Sequence, residues 1–225
     1  MRNVFVTTSN VKVFVDVCRA LETREAGVPG LGLVHGKRGL GKTRTALWYV
    51  AKNGGIYVRA KKAWTPHWML EEVAVELGIA PRRTFRELFS EVAAALVENP
   101  RLIVIDEVNL PELRCLETLR DVHDITEAPM VFLGHEGVLM RLKRLAPLFD
   151  RFLYIAEFKD LGAQDLRLFC EQCLELPVGD EVLERVLKLT GGNFRKCVVV
   201  LKGAEVRARA KKAQEISPEH LPREG

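Results

Sequence analysis

The chain has 225 residues, of which 48% are apolar and 28% charged, as in an ordinary globular protein of one domain or of one domain with a small appendage. It has no run of about 18 apolar residues, which excludes a membrane-spanning helix, and the polar residues 7–10 interrupt the first apolar stretch, which excludes a signal-peptide core. We therefore expect a cytoplasmic protein with no membrane partner. The net charge of +4, from 34 basic and 30 acidic residues, does not by itself indicate a nucleic-acid ligand.

The five cysteines are expected to be reduced thiols, because no export signal is present. Cys170 and Cys173 form a C-x-x-C pair within a helical pattern, without a second pair or a nearby pair of histidines. Buried thiols are the favoured interpretation, and a metal or redox site is the alternative.

Strand and helix patterns alternate over most of the chain. In chain order they predict a helix at 7–26, a strand at 31–35, a helix ending near 52, a strand at 56–60, helices beginning at 66 and near 85, a strand at 102–105, a helix at 112–123, a strand at 130–134, a mostly helical stretch at 136–148 and a strand at 152–155. Helices alone follow, at 163–174, 180–189 and 194–212. This order predicts an α/β fold with a five-stranded parallel sheet flanked by helices, followed by a small helical lid. The predicted domains are residues 1–158, including the N-terminal helix, residues 159–213 for the lid, and a flexible tail at 214–225.

One segment, from Gly36 to Thr43, reads Gly-Lys-Arg-Gly-Leu-Gly-Lys-Thr and fits G-x-x-x-x-G-K-T at every fixed position. A predicted strand precedes it and a predicted helix follows it, which is the context of the P-loop of nucleoside triphosphatases. Its glycines allow successive N–H groups to point into one concavity, and the helix adds its positive end. We expect Lys42 to reach the β- and γ-phosphates of ATP and the Thr43 hydroxyl to hold Mg²⁺. The predicted nucleotide-binding residues are Gly36, Lys37, Arg38, Gly39, Leu40, Gly41, Lys42, Thr43, Arg44 and Asp106.

Two acidic residues, Asp106 and Glu107, directly follow the continuous apolar strand at 102–105. The carboxyl ends of such strands are where open α/β sheets bind ligands. We expect Asp106 to bind Mg²⁺ together with Thr43, and Glu107 to act as the general base that polarises an attacking water. The alternative is an acidic helix cap.

Three further residues are predicted to act on the γ-phosphate, each with a structural alternative. His135 follows the fourth strand, where it would sense the phosphate or orient the water, or else make a structural hydrogen bond in a loop. Arg151 is the candidate for an arginine finger offered to a neighbouring subunit, with Arg141 and Arg144 as rivals, or else a solvated surface residue. Arg195 begins the last helix, where it would fold over the phosphate, or else supply a helix-start charge.

Together these motifs resemble those of the AAA+ ATPases over roughly residues 8–212. Gly36–Thr43 matches the Walker A motif and Leu102–Glu107 the Walker B motif. His135 stands at the sensor-one position, which is usually an asparagine, and Arg195 stands at the sensor-two position. The resemblance implies ATP and Mg²⁺ as cofactors and hydrolysis of ATP to ADP and phosphate, with Glu107, Lys42, His135, Arg151 and Arg195 as catalytic residues.

Within the superfamily the chain is most similar to the MuB/TnsC/TniB family of transposition regulators. The similarity lies in Gly-Leu-Gly-Lys-Thr-Arg of the P-loop, in residues 61–70, in Gly134-His135-Glu136, and in the short lid ending in Gly-Gly-Asn-Phe-Arg. It implies ATP-driven assembly of the protein into a ring or helical filament on double-stranded DNA, with little sequence preference. The assembly would recruit and stimulate a DDE-type transposase, and hydrolysis would disassemble it.

In this family the segments after the second strand face the pore of the assembly. The residues predicted to contact DNA there are Lys61, Lys62, Arg82, Arg83 and Arg86. Their charges would bind phosphates without reading sequence, although a solvated basic helix face is the alternative. Two other functions stay open: an ATPase that acts on a protein partner, of the ExeA-like secretion or helicase-loader type, and a nucleotide switch with little hydrolysis.

Overall fold

The computed structural model, which describes residues 1–222, contains the predicted five-stranded parallel sheet flanked by helices. Its strands are β1 (Leu31–His35), β2 (Ile56–Arg59), β3 (Ile103–Asp106), β4 (Met130–Leu133) and β5 (Phe152–Glu157). They are arranged in the order β2-β3-β4-β1-β5, and every neighbouring pair is parallel. The α/β prediction is therefore confirmed. Strands β3 and β4 are buried along their whole length, as their continuous apolar runs predict.

The helices are α1 (Ser9–Glu22), α2 (Lys42–Asn53), α3 (Pro66–Glu76), α4 (Phe85–Glu98), α5 (Leu113–Thr126), α6 (Val138–Leu142), α7 (Ala146–Phe149), α8 (Ala163–Cys173), α9 (Asp180–Thr190) and α10 (Phe194–Ala210). The stretch at 136–148, expected to be mostly helical, is two short helices. Pro147 lies in the first turn of α7, where proline is tolerated, and Leu145 before it has a non-helical backbone. Helix α3 begins as its sequence predicts, since the Thr65 hydroxyl accepts a hydrogen bond from the Trp68 N–H at 3.2 Å.

The chain forms two compact units. The sheet unit contains residues 13–36 and 42–157, and the helical unit contains residues 1–12, 37–41 and 158–222. This division differs from the predicted domains, because the first twelve residues and the tip of the P-loop group with the lid. The Ser9 N–H donates to the Asp165 carboxylate at 2.8 Å, and the Asn10 side chain bonds both the N–H and the carbonyl of Lys159. These contacts attach the start of the chain to the helical unit.

A second difference concerns the tail predicted to be flexible at 214–225. Within the described residues, Ile216 forms a β-bridge with Val178, and Ile216, His220 and Leu221 are buried. Arg207 holds this segment through a hydrogen bond of 2.6 Å from its Nε to the carbonyl of His220. The tail therefore packs on the helical unit because it carries apolar side chains between its polar ones; residues 223–225 lie outside the described part of the chain.

All five cysteines are buried, and none of them forms a disulfide within residues 1–222. Cys170 and Cys173 lie in the apolar core of the helical unit, and burial raises the pKa of the Cys170 thiol to about 12. Residues 1–222 contain no cluster of three or more histidine, cysteine or acidic side chains able to hold a metal ion. These observations favour buried thiols. In the same range no helix combines the length and the apolar character needed to cross a bilayer.

Candidate functional site

The loop between β1 and α2 has the backbone that its glycines allow. Gly36, Gly39 and Gly41 have φ values of 144°, 84° and 95°, a region that residues with a Cβ rarely adopt. In the sheet unit, the Lys42 ammonium at the start of α2 donates to the carbonyl of Gly36 at 2.7 Å. The side chain predicted to reach phosphates therefore lies along its own loop.

Asp106 is the centre of a hydrogen-bond cluster at the carboxyl edge of the sheet. It ends β3 and is only 3% exposed. Its Oδ2 accepts hydrogen bonds from the hydroxyls of Thr43 at 2.6 Å and Tyr57 at 2.9 Å, and its Oδ1 accepts one from the Glu107 N–H at 2.7 Å. The structure thus brings together Thr43 and Asp106, and their binding of Mg²⁺ stays a prediction.

Sequence reasoning missed Tyr57. The only signal was a hydroxyl-bearing residue on a short strand of otherwise apolar and basic side chains. Burial, together with the Asp106 charge, raises the pKa of the Tyr57 phenol, so this group stays protonated and donates.

Glu107 follows the strand with a left-handed backbone, at a φ of 59°. This conformation is strained for a residue other than glycine and turns the chain sharply beyond the sheet. One carboxylate oxygen lies 3.7 Å from Nη2 of Arg59, the last residue of β2. Arg59 was also missed, because its proximity depends on the parallel register that places it beside Asp106.

His135, after β4, makes structural hydrogen bonds. Its backbone N–H donates to Oδ1 of Asn109 at 2.8 Å. The ring Nδ1 lies 2.8 Å from the carbonyl oxygen of Glu136. The contact with a carbonyl requires a proton on Nδ1, which leaves Nε2 as the acceptor in the neutral ring. Asn109 lies so close to Gly134 that a Cβ there would be 2.8 Å from its Oδ1, so the glycine is required for this contact. The alternative that His135 makes structural hydrogen bonds in a loop therefore explains the contacts of its backbone N–H and of its ring Nδ1.

The three arginines considered as fingers have different surroundings. Arg141 donates to the carbonyls of Val108, Asn109 and Pro111, and burial lowers the pKa of its guanidinium. Arg141 therefore holds the loop that follows Glu107. Because its guanidinium is bound within its own chain, Arg141 is a poor candidate for an arginine finger. Arg144 is exposed between α6 and α7.

Arg151 forms a two-pronged ion pair with Asp124, at 2.9 and 3.3 Å. It precedes β5, and its carbonyl accepts from the N–H of Leu31 at the start of β1. The P-loop follows the other end of β1. Within one chain Arg151 therefore lies at the sheet edge opposite Thr43 and Lys42, and its predicted role requires a second subunit.

In the helical unit, the tip of the P-loop is attached to the start of α10. The Asn193 side-chain amide donates to the Arg38 carbonyl at 2.7 Å, and the Arg195 N–H donates to the Gly39 carbonyl at 2.9 Å. Lys37 forms an ion pair with Asp160 at 2.5 Å. A Cβ on Gly39 would lie 2.6 Å from Asn193 Oδ1. Glycine is therefore required at this position by the close contact with Asn193 as well as by its positive φ. Leu40 is buried.

The side chains of Arg38, Arg44 and Arg195 are exposed. The sequence motif located Arg195 at the start of the helix but did not identify Asn193, whose side chain also caps α10 by accepting from the Lys196 N–H.

The basic residues predicted to contact DNA lie in two adjacent segments of the sheet unit, since His67 Nε2 is 3.1 Å from the carbonyl of Arg82. Lys61 pairs with Glu72 and lies over the ring of Trp68, 5.2 Å from its centroid. Arg82 pairs with Glu91 at 2.7 Å. The other three predicted residues, Lys62, Arg83 and Arg86, are exposed and have no ion pair within residues 1–222.

The parallel sheet, the glycine loop and the acidic strand end define a P-loop nucleotide-binding protein. A model of the AAA domain family matches residues 25–142, more than half of the chain, and the protein belongs to that family. A potential ATP-binding protein of Staphylococcus aureus is 29% identical over 103 residues. That match covers 42% of this chain and 38% of the relative, so the chain corresponds to well under half of that protein. The family and this relative support ATP binding.

Solved structures show the same fold. The ORC2 protein of Aeropyrum pernix, solved as ADPNP–ADP complexes, has a TM-score of 0.71 and 21% identity, covering 98% of this chain and 68% of that one. The ORC1 protein of the same organism, solved in complex with DNA, has a TM-score of 0.67 and 18% identity, covering 97% and 64%. The RuvB Holliday junction branch migration motor of Thermotoga maritima has a TM-score of 0.61 and 19% identity, covering 96% and 67%. At these identities the likeness establishes the fold alone, and the resemblance to transposition regulators stays a prediction.

Proposed function

We propose that this protein is a Mg²⁺-dependent AAA+ ATPase that assembles on double-stranded DNA. The observation that carries the enzymatic part is the hydrogen bond of 2.6 Å between Thr43 and the buried Asp106. These two oxygen-bearing side chains suit Mg²⁺, which prefers oxygen ligands. The glycine backbone of the loop also fits, because Gly36, Gly39 and Gly41 have positive φ values, a conformation that lets successive N–H groups point toward a bound phosphate.

In the proposed reaction, the loop N–H groups and the Lys42 ammonium bind the phosphates, and Lys42 leaves the Gly36 carbonyl to do so. Thr43 and Asp106 would hold Mg²⁺, which neutralises developing phosphate charge when bound. Glu107 accepts a proton from the attacking water. The Arg59 guanidinium lies 3.7 Å from the Glu107 carboxylate. We assign His135 and Arg195 to phosphate sensing in the same proposal.

The finger is proposed to be Arg151 of an adjacent subunit. Its ion pair with Asp124 must open for the guanidinium to reach another chain's phosphates. Assembly would thus supply a charge that the isolated chain cannot deliver to its own site. This makes hydrolysis dependent on a ring or filament of subunits.

The DNA-directed part of the proposal rests on the exposed basic segments. Lys62, Arg83 and Arg86 have uncompensated charge that suits the phosphate backbone. The ORC1 protein, which shares the fold, was solved with DNA. Together with the resemblance to the MuB/TnsC/TniB family, this supports a protein that marks target DNA in the cytoplasm, recruits a DDE-type transposase, and leaves the DNA after hydrolysis.

A second function, an ATPase acting on a protein partner, is favoured by one observation. Glu72 and Glu91 neutralise two of the five predicted DNA-binding cations. A mixed-charge surface of this kind also suits a protein ligand.

The test is sedimentation and electron microscopy of the purified protein with duplex DNA, in ATP, in ADP and without nucleotide. A variant with Lys62, Arg83 and Arg86 changed to Glu is compared with a control that carries the same charge change at the exposed Lys12, Lys202 and Lys212. We expect ATP-dependent DNA assemblies for the wild type and the control, and their loss in the test variant. ATP-dependent assemblies that ignore DNA would favour the protein-directed function, and a wild type that binds no ATP would refute the proposal.

A further inference from the structure

The Asp106 carboxylate receives its second side-chain hydrogen bond from Tyr57, a residue that no motif includes. We infer that Tyr57 is a positioning residue of the nucleotide–Mg²⁺ site, whose hydroxyl fixes the orientation of the Asp106 carboxylate. This inference rests on the proposed ATPase function and adds a residue to its site.

The geometry follows from the parallel pairing of β2 with β3. Tyr57 is in register with Val104, and Arg59 is in register with Asp106. Side chains alternate along a strand, so Tyr57 and Arg59 share the sheet face on which Asp106 lies. Tyr57 reaches along this face to Oδ2 of Asp106 at 2.9 Å, beside the Thr43 hydroxyl.

The hydroxyls of Thr43 and Tyr57, which both donate to Oδ2 of Asp106, have different roles when a cation binds. Thr43 lies at the start of α2, is exposed, and is the proposed Mg²⁺ ligand, so its oxygen lone pairs are needed elsewhere. Tyr57 is half-buried on a strand and has no second proposed task. Its hydroxyl donates to Asp106 without being needed by the cation, whereas the Thr43 oxygen would offer a lone pair to Mg²⁺ and keep its hydrogen on Asp106; the two donors together restrict rotation of the carboxylate. A group held in its working orientation before the ligand arrives costs less to order on binding.

Packing alone does not require the hydroxyl at this position. A phenylalanine ring fills nearly the same volume, so Tyr57→Phe removes the donor and retains the contacts of the ring. A phenol is protonated through the neutral range, so the tyrosine hydroxyl remains a donor there. The variant therefore isolates one hydrogen bond.

The test measures binding of a fluorescent N-methylanthraniloyl ATP as Mg²⁺ is titrated, and again in excess EDTA. For Tyr57→Phe we expect an unchanged affinity in EDTA and a Mg²⁺ half-saturation concentration about 3- to 10-fold higher than that of the wild type, the range for one typical intramolecular hydrogen bond. Tyr154→Phe, which changes an exposed tyrosine on β5, is the matched control and should behave as the wild type. Circular dichroism verifies that each variant is folded.

A double-mutant cycle gives a second, independent measurement. In an Asp106→Ala background the Tyr57→Phe change should have no further effect on the Mg²⁺ response, because no side-chain acceptor is left at position 106. Equal half-saturation for Tyr57→Phe and wild type, or a lower value in the variant, would overturn the inference. A wild type that binds the nucleotide without any Mg²⁺ response would instead remove the proposed function, and the inference with it.

Discussion

Replacing Glu107 by glutamine should abolish most turnover while leaving the fold intact. The structural contribution of the side chain is small: its ion pair with Arg59 spans 3.7 Å, with Glu107 30% and Arg59 65% exposed. Exposed pairs of this kind contribute about 0 to 1 kcal/mol to the free energy of unfolding. The strain of the left-handed backbone at position 107 is the same for glutamate and glutamine, so it does not change the unfolding free energy of the variant relative to the wild type.

The catalytic contribution should be much larger. Loss of a general base lowers the rate by about 10²- to 10⁴-fold. This corresponds to about 3 to 5 kcal/mol in activation free energy. The free energy of unfolding and the activation free energy should therefore change by amounts that differ several-fold, which separates the two roles of the residue.

The assay is phosphate release at saturating Mg²⁺ and ATP, combined with urea denaturation and nucleotide binding. Glu136→Gln is the matched control, because it removes an exposed carboxylate three residues after β4 ends. We expect Glu107→Gln to bind nucleotide like the wild type and to accumulate in assemblies. Turnover within about threefold of the wild type would refute the assignment of Glu107 as the base. A loss of turnover matched by an equal loss of unfolding free energy would refute the reasoning from the exposed pair.

Two further predictions concern contacts that hold the loop and the sheet edge. Asn193→Ala should lower the unfolding free energy by about 1–2 kcal/mol, because it removes a helix cap and the hydrogen bond to the Arg38 carbonyl. Asn193→Asp keeps the cap, so it should lose only about half as much. Urea denaturation measures both. His123 is 4% exposed, accepts from the Gly30 N–H at Nε2 and contacts the Ala128 carbonyl through Nδ1, and burial lowers its pKa below the ordinary 6.5. The unfolded chain therefore takes up this proton first as the pH falls below about 6.5, and stability should decline by up to about 1.4 kcal/mol per pH unit. In urea denaturation at pH 7.5 and 5.5, His123→Gln should show a smaller pH difference than the wild type; an identical difference would contradict the neutral, buried histidine.

The sequence predicted most of the fold because its signals are local. Strands β3 and β4 appear as continuous apolar runs, and the caps at Thr65 and Asn53-Gly54 mark helix ends within one or two residues. The pairing of Thr43 with Asp106 was also predictable, since the P-loop and the acidic strand end are motifs with fixed spatial meaning. Where local signals conflicted, as at Pro147 and in the partly apolar tail, the expectation differed from the structure.

By itself the sequence determined the parallel sheet, the glycine loop and the identity of the buried carboxylate, because each depends on residues close together in the chain. Only the tertiary structure decided which side chains surround them. Tyr57 and Arg59 reach the Asp106–Glu107 pair through the register of β2 against β3. Arg141 binds the loop after Glu107 and Arg151 pairs with Asp124 because elements 30 or so residues apart are packed together. Such contacts depend on packing and strand register, which no local pattern of residue types specifies.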